Sequence, residues 1–187
     1  MSSLNAKMNP TELLALPSIF IVGPMGAGKT TIGKQLARVL QRPFYDSDQA
    51  IEARTGVTIS TIFEIEQEQG FRQRETQMLD ELTSQPGIVL ATGGGAVVSL
   101  ENQTYLQRGI ILYLFAPFDE LYKRTGYDNK RPLLDTDNRA QALQATLALR
   151  NPIYAALSHA KFNTKRYHPS IVVKQILNYL KNTHANH

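Results

Sequence analysis

The sequence predicts an α/β fold: a parallel sheet layered between helices, α/β/α. Short, nearly continuous apolar runs alternate with stretches of helical spacing; strands of that kind are buried on both faces by crossover helices. Three of these runs lead directly into glycines or carboxylates, which is how ligand sites begin at the carboxyl edge of such sheets. The chain has 187 residues, 42% hydrophobic and 19% charged, which suits one globular domain rather than a disordered chain.

Taken in order, residues 1–17 read as a flexible or weakly helical extension, and 18–183 as a single domain. Ile19–Val22 is a buried strand entering glycines. A helix follows over 29–41, with Ile32, Leu36, Val39 and Leu40 at helical spacing. Phe44 and Tyr45 form a brief second strand that ends in Asp46-Ser47-Asp48, where Ser47 or Asp48 is placed to cap a helix starting near Gln49. The polar stretch 60–82 carries Ile62, Phe63, Ile65, Phe71, Met78, Leu79 and Leu82 as its buried candidates. Gly70 divides it into two helices or one kinked helix. A third strand covers 88–91 and runs into Gly93-Gly94-Gly95; Ile110–Phe115 is a fourth. A short helix over 117–124 opens on proline, and 126–137 is a polar, mobile loop. A helix over 139–160 is expected to break at Pro152. A fifth strand at 161–164 and an amphipathic helix over 169–181 complete the domain.

Bulk properties narrow the class. The chain has no cysteine, so it holds no disulfide framework and no zinc-thiolate site. Its net charge of +4 comes from scattered lysines and arginines without a basic run, which argues against a nucleic-acid partner. The apolar stretch 13–16 is too short for an export signal or a membrane span, so the expectation is a cytoplasmic protein without a membrane partner.

Gly23-Pro24-Met25-Gly26-Ala27-Gly28-Lys29-Thr30 fits the P-loop pattern G-x-x-x-x-G-K-[ST] between a strand and a helix. Its glycines let successive N–H groups turn inward as an anion nest at a helix N-terminus. Lys29 adds a positive charge for the β- and γ-phosphates, and Thr30 a hydroxyl for Mg²⁺. The motif is specific for a nucleoside triphosphate and silent about the acceptor.

The acceptor side is less self-evident. Asp46 and Asp48 can both reach the cleft at a strand end, or one of them can cap the next helix. Arg72 and Glu75 share a helix face; Arg72 could grip a carboxylate bidentately, or the two could form a solvated ion pair. Gly93-Gly94-Gly95 permits close backbone approach to a ligand.

Together, the P-loop with Thr31, Asp46-Ser47-Asp48, Gly70-Phe71-Arg72 with Glu75, Thr92-Gly93-Gly94-Gly95, Arg131-Pro132-Leu133-Leu134 and Arg150-Asn151-Pro152-x-Tyr154 resemble the shikimate kinase family. The motifs occur in the family's order from about residue 19 to about 181. The resemblance implies ATP-dependent phosphorylation of the 3-hydroxyl of shikimate, on the way to chorismate and the aromatic amino acids. It also implies a five-stranded parallel sheet of the P-loop kinase type and a lid at about 126–138; a monomer is a separate expectation.

Under the resemblance, Gly26, Ala27, Gly28, Lys29, Thr30 and Thr31 hold ATP. Arg124 lies by the adenine and Arg131 reaches the phosphates from the lid. Thr30 and Asp46 serve Mg²⁺, and Asp48 meets the substrate hydroxyls. Arg72 and Arg150 clamp the carboxylate, while Glu75, Gly93, Gly94 and Gly95 complete the substrate pocket. Lys29, Asp48 and Arg131 carry the catalysis. Read from the residues alone, Arg131 is equally a solvated loop residue, and Arg124 and Arg150 are helix-end cations. The chain departs from the family in the length of the segment before its P-loop.

Two other readings stand beside this one. Paired arginines suit any anionic hydroxy acid, so a gluconate-type kinase fits. A P-loop switch fits less well, because Asn129-Lys130-Arg131-Pro132 and Asn163-Thr164-Lys165-Arg166 lack the aspartate of N-K-x-D.

Overall fold

The computed structural model describes residues 16–126, 138–165 and 167–184. Five strands, β1 (Ile19–Val22), β2 (Phe44–Asp46), β3 (Val89–Ala91), β4 (Ile110–Phe115) and β5 (Ala160–Asn163), form one sheet in the order β2-β3-β1-β4-β5. Every pairing in it is parallel. The helices among the described residues are α1 (Lys29–Leu40), α2 (Ser47–Thr55), α3 (Ile59–Thr83), α4 (Leu100–Leu106), α5 (Phe118–Thr125), α6 (Arg139–Leu157) and α7 (Pro169–His184). A 3₁₀ turn, Ala96–Val98, precedes α4.

Strand β1 shows why the layers form. All four of its residues are buried: Ile19 and Ile21 enter one core with Leu36, Leu112, Val172 and Ile176, while Phe20 and Val22 enter the other with Ile51, Leu79, Leu90 and Tyr154. Alternate side chains of a strand point to opposite faces, so an unbroken apolar run needs a cover on both. Helices α1 and α7 supply one cover; α2, α3, α4 and the second half of α6 supply the other.

Several local expectations are corrected. Asp46, not Ser47 or Asp48, caps α2, its carboxylate accepting from the backbone N–H groups of Asp48 and Gln49. The break in the long helix falls at Gln67 (φ 59°, ψ −175°) rather than at Gly70. Gly70 still permits it, since a Cβ there would stand 2.4 Å from Glu66 Cβ. Ahead of the kink Ile65 is 74% exposed, and on α1 Val39 is exposed as well. Helix α6 runs through Pro152 without ending, the proline lying on its exposed side. At the other end of the chain Leu16 is already buried, and its carbonyl and that of Pro17 hold the Arg42 guanidinium. The packed region therefore reaches back to Leu16. Residues 127–137, where the mobile loop and Arg131 were expected, residues 1–15, Arg166 and the last three residues lie outside the described residues.

Candidate active site

Strand order brings the motifs together. Strands β2, β3 and β1 are neighbours, and each is followed at its carboxyl end by one motif: Asp46-Ser47-Asp48, Thr92-Gly93-Gly94-Gly95 and the P-loop. Two cavities open along this edge. The one of about 210 Å³ is bounded by Met25, Gly26, Gly28, Lys29, Thr30, Thr31, Asp46, Asp48 and Thr92. The other, about 320 Å³, reaches from the same Met25, Thr30, Asp46 and Asp48 to Phe63, Arg72, Glu75 and Arg150. The P-loop cavity and the second pocket thus share a wall that includes Asp48.

The P-loop runs from the end of β1 into the first turn of α1. Gly28 caps α1 in the left-handed region (φ 87°), which a side chain would resist. Ala27 is fully buried. The Lys29 ammonium donates to the carbonyls of Gly23 (2.8 Å) and Pro24 (2.9 Å), so it arches back across the loop. Thr30 donates its hydroxyl to Asp46 Oδ2 at 2.7 Å. Asp46 therefore does both things the sequence left open, capping α2 through Oδ1 and facing the P-loop cavity through Oδ2. Among the described residues no group of three or more histidines or carboxylates could hold a metal by itself. The oxygen donors of Thr30 and Asp46 are of the kind a hard cation takes, with phosphate oxygens and water completing its shell.

Arg124 is neither loose nor a simple helix-end cation. It donates to Glu120 (2.9 Å), to the Gly26 carbonyl of the P-loop (3.2 Å), and to the side chain (3.1 Å) and carbonyl (3.0 Å) of Thr164. The P-loop, α5 and the segment after β5 are joined through one guanidinium.

In the second pocket Arg72 and Glu75 do pair, at 2.7 Å, but not as a solvated couple: the Glu75 side chain is 1% exposed. Arg72 also donates to Glu68. Burial lifts the Glu75 pKa above the usual carboxylate range; Arg72 pulls it back and Asp48 adds to the rise. Burial disfavours the Arg72 cation, but Glu75 and Glu68 outweigh it, and its pKa is raised. Arg150 lines the same pocket, with a buried Nε that has no hydrogen-bond partner among the described residues. Because α6 continues past it to Leu157, Arg150 is not a helix-terminal cation.

The three glycines serve by lacking side chains rather than by unusual backbone angles, for none of them has positive φ. A Cβ on Gly93 would stand 2.6 Å from Asp48 Oδ1 and 2.9 Å from Glu75 Oε1. On Gly95 it would meet the Arg72 guanidinium at 2.4 Å, and on Gly94 it would face the backbone of Met25 and the Tyr154 hydroxyl. Each glycine clears space for a different neighbour.

Sequence reasoning missed two residues. Ser47 is fully buried and accepts from the Gly93 N–H at 2.9 Å, fixing the start of the glycine loop. Tyr154 is also fully buried, and its hydroxyl donates to the Gly94 carbonyl. Both lie inside quoted motifs, but nothing in spacing points a serine or a tyrosine at a loop 46 or 60 residues away.

Comparison with known proteins adds the following. The shikimate kinase family model matches residues 25–181. A shikimate kinase of Psychrobacter cryohalolentis is 53% identical over 166 residues, covering 88% of this chain and 89% of the relative. One of Haemophilus influenzae (strain PittEE) is 49% identical over 167 residues, covering 88% and 93%. Among solved structures, shikimate kinase from Acinetobacter baumannii in complex with shikimate superposes with a TM-score of 0.90 at 46% identity, covering 94% of this chain and 99% of that one. A gluconokinase from Sinorhizobium meliloti, at 14% identity and a TM-score of 0.56, shares the fold alone.

Proposed function

This chain belongs to the shikimate kinase family, and from that premise we propose how its residues divide the reaction. The protein is an ATP:shikimate 3-phosphotransferase: it moves the γ-phosphate of ATP to the 3-hydroxyl of shikimate. The observation that carries the division of labour is the shared wall of the two cavities, where Thr30, Asp46 and Asp48 border both.

Phosphoryl transfer through a loose transition state asks the protein to position groups and stabilise charge. Gly26, Ala27, Gly28, Lys29, Thr30 and Thr31 take the phosphates, with Lys29 neutralising charge on the β- and γ-oxygens. Asp48 accepts a hydrogen bond from the attacking hydroxyl and aims it at phosphorus. Arg72 and Arg150 hold the shikimate carboxylate, and Glu75 sets the position of Arg72. The backbone of Gly93, Gly94 and Gly95 lines the ring. Arg131 completes the phosphate charge and Arg124 borders the adenine; for both, the support is their motif position. Thr30 and Asp46 would hold Mg²⁺, which would supply positive charge against the phosphates.

The same proposal has the enzyme acting as a monomer in the cytoplasm, without nucleic acid or membrane. Scattered positive charge without a basic run supports the nucleic-acid part of it; no helix among the described residues is long and apolar enough to cross a bilayer. A coupled assay with ATP and Mg²⁺ tests the reading. Shikimate should be turned over, while gluconate and nucleoside monophosphates are not. Rapid ATP hydrolysis with no acceptor present would overturn it.

A further inference from the structure

We propose that Tyr154 is a positioning residue of the shikimate pocket, holding the Gly94 backbone and the Arg150 guanidinium in one arrangement through its hydroxyl. The inference rests on the shikimate reading above and assigns a role to a residue that reading leaves without one.

The tyrosine sits where two separate parts of the site meet. Gly94 follows β3, and Arg150 lies on α6 four residues before Tyr154, on the same helix face. The phenol donates to the Gly94 carbonyl, and the Arg150 cation one helical turn earlier acts on it electrostatically. The hydroxyl oxygen also lies 3.8 Å from where a Gly94 Cβ would be, and both residues line the pocket. A loop of three glycines has no side chains to hold it and loses more freedom on ordering than any other sequence. Ser47 fixes it at the Gly93 N–H; Tyr154 fixes it two peptide units later, at the Gly94 carbonyl.

The ring itself has little freedom to move. It is fully buried and packs at 5.2 Å against Tyr113, whose hydroxyl donates to Asn151 Oδ1 at 3.0 Å. The phenol is therefore a fixed donor, and the groups around it take their places from it. Burial lifts its pKa far above the ordinary tyrosine range, so it remains a donor at every working pH. Pre-placing a pocket in this way lowers the ordering cost when substrate binds.

The experiment compares Tyr154→Phe with Tyr113→Phe, which removes a nearby hydroxyl that does not touch the glycine loop. Tyr154→Phe should raise the KM for shikimate about fivefold to tenfold, the range expected for one lost hydrogen bond. The KM for ATP and kcat should stay within about twofold. Hydrogen exchange at the Gly94 and Gly95 amides should quicken. Tyr113→Phe should change neither KM nor exchange. If the two KM values rise together, if both variants behave alike, or if Tyr154→Phe leaves shikimate KM unaltered, the inference fails. Should Tyr154→Phe not accumulate as folded protein, Arg150→Lys gives the second test. A raised shikimate KM with faster Gly94 exchange supports the link through the phenol, and unchanged exchange overturns it. Turnover of shikimate by the unmodified enzyme in the same assay reports on the underlying reading separately.

Discussion

The Thr30 hydroxyl donates to Asp46 Oδ2 across 2.7 Å, tying the first turn after the phosphate loop to the end of β2. Because the other oxygen of Asp46 caps α2, the two duties can be separated by substitution. Asp46→Asn keeps a capping acceptor of equal rank, so stability should change by less than about 0.5 kcal/mol. The carboxylate charge facing the P-loop cavity is lost, and the Mg²⁺ concentration needed for half-maximal rate should rise about tenfold, the size of one charge-assisted contact. Titrating Mg²⁺ at fixed ATP checks this. An unmoved activation curve removes Asp46 from the metal's surroundings.

Gly95→Ala would place a methyl group 2.4 Å from Arg72 Nη1 and 2.6 Å from Nη2. A guanidinium at the end of a flexible stem can swing away, so melting temperature should fall only slightly. The displaced fork would no longer meet a carboxylate squarely. Shikimate KM should rise about 10- to 100-fold, as for a charged hydrogen bond lost, with ATP KM preserved. Initial-rate kinetics separates the two.

Glu75 predicts a pH dependence of stability. Its pKa is raised from the ordinary 4.5, chiefly by burial, so the folded protein binds this proton more tightly than the unfolded chain does. Stability from that proton is complete below about pH 4.5 and is lost as pH rises through the folded pKa. Glu75→Gln cannot titrate, so melting temperatures measured from pH 4.5 towards neutrality should decline less steeply than in the unmodified protein. A parallel decline would place the titrating group elsewhere.

The kink in α3 stores strain at one exposed residue. Gln67 has φ 59° and ψ −175°, a region that only glycine occupies comfortably. Gln67→Gly removes no buried contact and should stabilise the fold by about 1 kcal/mol. Gly70→Ala should act oppositely. Its Cβ would stand 2.4 Å from Glu66 Cβ, an atom that cannot move without the backbone, at a cost of about 1–3 kcal/mol. Denaturant melts of the two variants should move in opposite directions, and a stabilised Gly70→Ala would contradict the packing described.

Much of this was legible along the chain because it depends on neighbours in sequence. The P-loop, the apolar runs of β1 and β4 and the α/β alternation follow from local spacing, and the resemblance carried by six motifs named the substrate. The kink position was not legible. Gly70 is visible as a helix breaker, but the backbone departs three residues earlier, where Glu66 must pass over it. Pro152 misled for the related reason that a proline on an exposed helix side need not end the helix.

The sequence by itself determined that a triphosphate loop, two aspartates and three glycines each follow a strand end, and that two arginines lie on helices. Only the tertiary structure decided which of them meet. The strand order β2-β3-β1 sets three motifs side by side, and burial turned the Arg72–Glu75 pair from a surface couple into a pocket wall. The same folding set Ser47 and Tyr154 on a glycine loop 46 and 60 residues distant. Local spacing encodes backbone conformation and which face a residue takes; contacts across the sheet arise only when strands find their order and helices close over them.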